Sequence, residues 1–141
     1  MKRKIGYALG LYIVLFLIFL AVDQAIVGQG VKQASLIVLS TAIGFLIGRA
    51  YFSKTPGDAG GGFQLGALWL LVGVALDWII AGLSLLSGDA ATIAYLVGFY
   101  QTWFFGVSVL GMVCAVALAG HTTHGGALMR RPPTTPMVLK K

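Results

Sequence analysis

Few side chains in this sequence are suited to acid–base, nucleophilic or metal chemistry. The chain of 141 residues has four acidic residues, two histidines and one cysteine. One acidic residue, Asp77, is the only charge in the apolar stretch LLVGVALDWIIAGLSLL. A charged aspartate at the centre of a helix in lipid costs about 2.5 to 3.5 kcal/mol on insertion scales, so such a residue faces protein or a polar cavity. Asp77 therefore needs either a structural partner or a functional role.

Two further polar residues, Asp23 and Gln101, lie in or near apolar segments. At 1.5 Å per helical residue, Asp23, Gln101 and Asp77 would lie about 6, 9 and 14 Å below one membrane surface. We interpret the three as a candidate intramembrane polar or proton site. Asp77 would either share a hydrogen bond with a neighbour such as Gln101 or carry a proton or cation. Asp23 also fits an ordinary interfacial position near a helix end.

Other kinds of site are weakly indicated. His121 and His124 have a spacing that can share a metal, but further ligands are missing, and Cys114 is seven residues away from His121. No serine, histidine and acid pattern indicates nucleophilic catalysis. The glycine-rich middle loop lacks the Gly-Lys-Ser/Thr ending of a phosphate-binding loop. We therefore expect a protein that is not an enzyme and has no metal or other cofactor.

The composition predicts a membrane protein. Hydrophobic residues make up 58% of the chain and charged residues 10%, whereas soluble proteins are typically about 25% charged. Four continuous apolar segments, at residues 7–27, 34–52, 64–86 and 95–119, each have the length of a membrane-spanning helix. Strands of a membrane barrel would be shorter and would alternate in polarity.

The predicted fold is therefore an all-α integral membrane protein with four transmembrane helices. The helices form a single domain over residues 1–141, with short loops. The loop at residues 53–62 is rich in glycine and is expected to be flexible. Residues 121–141 are expected to form an irregular basic tail that either lies against anionic headgroups or docks on a partner.

The basic residues predict the orientation. Nine of the ten lie before the first segment, around the middle loop or after the last segment, and Lys32 alone lies in another loop. Because basic loops stay on the cytoplasmic side, both termini are predicted to be cytoplasmic. The first segment is long for a cleaved signal and is interpreted as a retained anchor. The expected location is the cytoplasmic (inner) membrane of a prokaryote.

Small residues mark the faces on which the helices are expected to pack. Gly6 and Gly10, and likewise Gly44 and Gly48, are four residues apart, a spacing that lets two helices approach closely. On a helical wheel, Gly73 and Ala81 share the face of Asp77. The predicted packing residues are Gly6, Gly10, Gly44, Gly48, Gly73 and Ala81.

These features favour an accessory or structural subunit of a larger membrane complex, or a bundle that associates with itself. Four short helices with several small-residue faces offer more contact surface than one small bundle can bury. Two alternatives stay open: a small oligomeric transporter or channel that uses Asp77 for a proton or cation, and a protein that binds quinone or lipid through its aromatic residues. The expected partners are the lipid bilayer and other membrane subunits or further copies of the chain. Nucleic acid is not expected, because the basic residues flank the apolar segments rather than forming a patch with aromatic residues.

Overall fold

The computed structural model describes residues 2–26, 28–89 and 91–128, and these residues form helices without any strand. The five helices are α1 (Lys2–Ala25), α2 (Gln29–Phe52), α3 (Ala59–Leu86), α4 (Ala91–Tyr100) and α5 (Trp103–Leu128). All except α4 are long and apolar enough to cross a membrane. The predicted all-α class with four such helices is confirmed. Helix α5 continues through residues 121–128, where an irregular tail was expected, and the rest of that tail, 129–141, lies outside the described residues.

The fourth predicted segment, residues 95–119, is not one helix but two. Helix α4 ends at Tyr100 and α5 begins at Trp103. At the break, the Thr102 backbone N–H bonds to the Phe99 carbonyl at 3.1 Å, and the Thr102 hydroxyl donates to the same oxygen at 2.5 Å. A threonine side chain that bonds to the preceding turn competes with continued helix, which accounts for the break.

Helix α3 begins earlier than predicted, so the middle loop is shorter. The Asp58 side chain caps the helix by accepting a 2.7 Å hydrogen bond from the Gly61 backbone N–H, and Gly60, Gly61 and Gly62 are all helical. A Cβ atom on Gly62 would lie 2.7 Å from the Val116 carbonyl oxygen of α5. Glycine at 62 thus permits a close approach of α3 and α5 that a larger residue would prevent.

Helix α5 packs between α2 and α3 through glycines on both neighbours. A Cβ on Gly44 would lie 2.8 Å from the Met112 side chain, and one on Gly48 would lie 3.1 Å from the Ala119 Cβ. Val116, at the centre of this contact, is fully buried. The predicted packing residues Gly44 and Gly48 therefore lie against α5. Gly6 and Gly10 instead line a groove between α1 and α2, where an added Cβ would meet no atom within 4 Å.

Aromatic side chains close the end of the bundle where α2 connects to α3, which we term the closed end. Trp69 is buried, stacks on Tyr7 with ring centroids 6.5 Å apart, and donates from Nε1 to the Lys4 carbonyl at 3.2 Å. Tyr51 packs edge-on against both rings. Toward the opposite end, the five helices leave a cavity between them.

Candidate functional site

Two tyrosine hydroxyls from different helices hold the carboxylate of Asp77. Tyr12 of α1 donates to Oδ1 at 2.6 Å, and Tyr100 of α4 donates to Oδ2 at 2.7 Å. The bond from Tyr12 is slightly shorter than most hydroxyl hydrogen bonds, and both distances fall in the range found for a charged acceptor. Asp77 therefore faces the other helices, as predicted, and links α1, α3 and α4.

The sequence of α3 provides the room for these contacts. Gly73, one turn before Asp77, would place an added Cβ 3.7 Å from the Tyr12 ring, so that ring packs beside the glycine. Ala81, one turn after Asp77, is completely buried. The opposite face carries Ile79 and Leu86, which are exposed. Small residues on one face thus allow the tyrosines to reach an aspartate in a helix that is otherwise apolar.

The break between α4 and α5 positions Tyr100. Tyr100 is the last residue of α4, and its ring packs edge-on against Phe105 of α5 with centroids 4.8 Å apart. Phe99 makes similar edge contacts with Phe104 and Phe105 at 5.5 and 5.3 Å. Because the break at residues 101–102 lets the rings of α4 and α5 pack together, the Tyr100 hydroxyl is directed at Asp77.

A cavity of about 280 Å³ lies beside the carboxylate. Nine of its lining residues are aromatic, and Asp77 is the only charged residue among those that line it. Ser40 and Ser108 add two hydroxyls. The Ser40 hydroxyl bonds to the Ile37 carbonyl at 3.1 Å, whereas the buried Ser108 Oγ has no hydrogen-bond partner among the described residues. A mostly apolar cavity with a few convergent polar groups is typical of small-molecule sites.

The other two residues of the predicted polar site lie elsewhere. Gln101 lies in the turn after α4 with an exposed side chain, so the expected bond between Asp77 and Gln101 is replaced by the bond from Tyr100. The helix break is the physical reason, since it directs Gln101 outward. Asp23 forms an ion pair with Lys32 at 2.7 Å, and Lys32 Nζ also bonds to the Asp23 carbonyl at 2.8 Å. That pair ties the end of α1 to the start of α2.

Sequence reasoning missed Tyr12 and gave no role to the Tyr100 hydroxyl. Tyr12 is the only residue with a polar side chain between Tyr7 and Asp23. A lone hydroxyl in the middle of an apolar helix is a signal that was available, because a polar group in lipid requires a partner. Tyr100 is one of many aromatic residues in its segment, so its sequence neighbourhood does not distinguish it.

The histidine and cysteine residues whose spacing was weighed for a metal site do not form a metal-ligand group in the described part of the chain. No group of three or more histidine, cysteine or acidic side chains occurs there. Cys114 and His121 are both exposed. The side chain of His124 lies outside the described residues.

No family model, no curated protein and no solved structure matches this chain. The fold and the site define a helical protein with four helices long and apolar enough to cross a membrane and an aromatic cavity beside a single carboxylate. Because one helical architecture can serve many functions, the chemistry of this site is the basis for a functional proposal.

Proposed function

We propose that this chain is an integral membrane protein that binds and transports a small cation at Asp77. Helices α1, α2, α3 and α5 cross the bilayer, and both termini face the cytoplasm. The orientation is supported by the closed end, where the Arg3 guanidinium lies within 3.4 Å of the Lys54 carbonyl, so that two basic segments share one side. A cysteine in place of Lys54 should be labelled from the cytoplasm and one in place of Gly30 from outside.

The observation that carries the proposal is the Asp77 carboxylate, which lies beside the cavity and has no basic partner among the described residues. The one ion pair in the described residues joins Lys32 to Asp23, and the hydrogen-bond donors on Asp77 are neutral tyrosine hydroxyls. Intramembrane acidic residues usually pair with a basic group or mark a path for ions or protons. With no basic side chain bound to it, Asp77 is suited to attract a cation from outside the protein.

A second candidate function, self-association or docking as a subunit, is favoured by the open groove on α1. Gly6 and Gly10 face this groove, whose walls include Val14 and Ile47. Small residues at this spacing accept a second helix at close range. Gly10→Leu should then reduce oligomer size in mild detergent without lowering the melting temperature of the monomer. Association of this kind is compatible with transport, and neither candidate involves catalysis or a cofactor.

Transport is tested in vesicles that contain the purified protein, with a pH-sensitive dye to report proton flux and a radiolabelled cation to report cation uptake. We expect addition of a cation to drive proton or cation flux with wild type and not with Asp77→Asn, because asparagine has the same shape but no charge. Asp23→Asn is the matched control, since Asp23 is paired with Lys32 and does not line the cavity. Flux that persists in Asp77→Asn, or absence of flux with every cation tried, would exclude the proposal.

A further inference from the structure

The cavity is larger than a bare inorganic cation needs. Its 280 Å³ corresponds to about nine water molecules at a liquid share of about 30 Å³ each. Hard inorganic cations also require several oxygen ligands, six to eight for Ca²⁺. Apart from Asp77 and its two tyrosines, the side-chain oxygens that line the cavity belong to Ser40, Ser108 and Tyr95. The cavity therefore offers space but few oxygen ligands to a metal ion.

The lining is better suited to an organic cation. The rings of Tyr12 and Phe16 are nearly parallel, with centroids 6.4 Å apart, and both line the cavity. Tyr12 also bonds to Asp77, so aromatic faces and a negative charge lie side by side. Aromatic faces attract ammonium groups, and the attraction grows when water is excluded.

This inference rests on the proposed function. We propose that the transported cation is an organic ammonium ion with an apolar or aromatic body. Its nitrogen lies at Asp77, and its body lies among the rings of α1, α4 and α5. The unpartnered Ser108 hydroxyl offers one further hydrogen bond to a polar group on the ligand. An alkylated ammonium suits such a site better than an inorganic ion, because its charge is surrounded by carbon and it loses less hydration in an apolar cavity.

The test compares benzyltrimethylammonium with neopentylbenzene, a neutral compound of the same shape in which carbon replaces nitrogen. Binding is measured by calorimetry and by ligand-induced thermal shift on the full chain in one detergent. Asp77→Asn in the same detergent corrects for partition of each compound into the micelle. We expect wild type to bind the cation at least about tenfold more tightly than the isostere, and Asp77→Asn to lose that preference.

A second variant keeps the test independent of Asp77. Phe16→Leu retains an apolar side chain of similar size at a position that is half exposed, so folding should be preserved. Loss of the aromatic face should weaken binding of the cation by about 2- to 30-fold and leave the isostere unaffected. Equal loss for both compounds would mean that the ring acts only as an apolar wall, which contradicts an ammonium site.

The remaining outcomes show whether the ammonium assignment alone is wrong or the proposed transport is wrong as well. Equal binding of both compounds, or preferential binding of a short-chain benzoquinone, would overturn the ammonium assignment. If Na⁺ or protons cause flux that depends on Asp77 while benzyltrimethylammonium does not bind, transport at Asp77 stands and the ammonium class is wrong. If no cation binds or moves, both are wrong.

Discussion

The hydroxyl of Tyr12 in α1 donates a 2.6 Å hydrogen bond to the carboxylate of Asp77 in α3, 65 residues further along the chain. The Tyr12 ring also packs beside Gly73, one turn earlier in α3. A single side chain thus joins the first helix to the candidate site and forms part of the cavity wall. The predictions below test this contact, the helix packing around it and the role of the carboxylate.

Tyr12→Phe should destabilise the protein by about 1.5 to 3 kcal/mol, because it removes a hydrogen bond to a charged group and keeps the aromatic ring. The measurement is the melting temperature in detergent. Tyr95→Phe is the matched control, since Tyr95 also lines the cavity but is 58% exposed and does not bond to Asp77. Equal melting temperatures for the two variants would show that the contact between Tyr12 and Asp77 adds nothing to stability.

At position 77, Asp77→Asn and Asp77→Leu should differ sharply in stability. Asparagine loses the charge but still offers one acceptor and one donor group to Tyr12 and Tyr100, so it should cost clearly less stability than leucine. Leucine leaves both hydroxyls without a partner, at about 1 to 3 kcal/mol for each buried group. Thermal unfolding of both variants beside wild type provides the measurement. Full tolerance of leucine would mean that the carboxylate is dispensable for joining the helices.

The sequence predicts the helices and their packing better than it predicts the candidate site. Hydropathy and length predict the long helices because so apolar a composition leaves few other structures. Gly44 and Gly48 contact α5 as their spacing suggested, since close helix approach depends directly on small residues. The partner of Asp77 could not be predicted in this way. It depends on the break at Thr102, where one hydroxyl bonds to the Phe99 carbonyl, a local competition that hydropathy does not register.

The cavity was equally beyond prediction from sequence, because its lining residues come from all five helices and only their packing brings them together. At the glycines at 60–62, by contrast, the sequence did contain a signal that was overlooked. They suggested a flexible loop, although Asp58 at the N-cap of α3 is a helix-start signal that was available. Gly62 is helical because α5 packs directly over it, and this contact between helices outweighs the low helix propensity of glycine.

Gly62→Ala should destabilise the bundle by about 1 to 3 kcal/mol, because the new methyl group would meet α5 backbone, which cannot rotate away. Gly10→Ala is the control, since a Cβ there meets no atom within 4 Å. Helix propensity predicts that this control is neutral or slightly stabilising. Melting temperatures that fall equally in both variants would contradict the close contact of α3 with α5.

The start of α4 should depend on pH through Asp89, which accepts hydrogen bonds from the Thr92 hydroxyl at 2.7 Å and the Ala91 N–H at 3.1 Å. The hydrogen bond from Thr92 lowers the pKa of Asp89 below its usual 3.8. Asp89 thus stabilises the helix start above pH 3.8, and this contribution is lost as the pH falls through the lower folded-state value. In wild type, backbone amide hydrogen exchange at residues 91–94 should therefore quicken as the pH falls through that value. The increase should exceed the intrinsic pH dependence of exchange.

Asp89→Asn is the control for this effect, because asparagine caps a helix without titrating. After correction for the intrinsic pH dependence, amide exchange at residues 91–94 of this variant should stay constant over the acidic range. The same acid-induced loss of protection in wild type and Asp89→Asn would assign the effect to another group.

The central claim, that Asp77 binds the cation, is tested most directly by NMR of protein labelled with carboxyl-¹³C aspartate. The four acidic residues of the chain are all aspartates, so four side-chain signals are expected, and Asp77→Asn assigns the relevant one. We predict that benzyltrimethylammonium shifts the Asp77 signal in a saturable way and leaves those of Asp23, Asp58 and Asp89 in place. An unchanged Asp77 signal at concentrations where the cation binds or is transported would contradict the account.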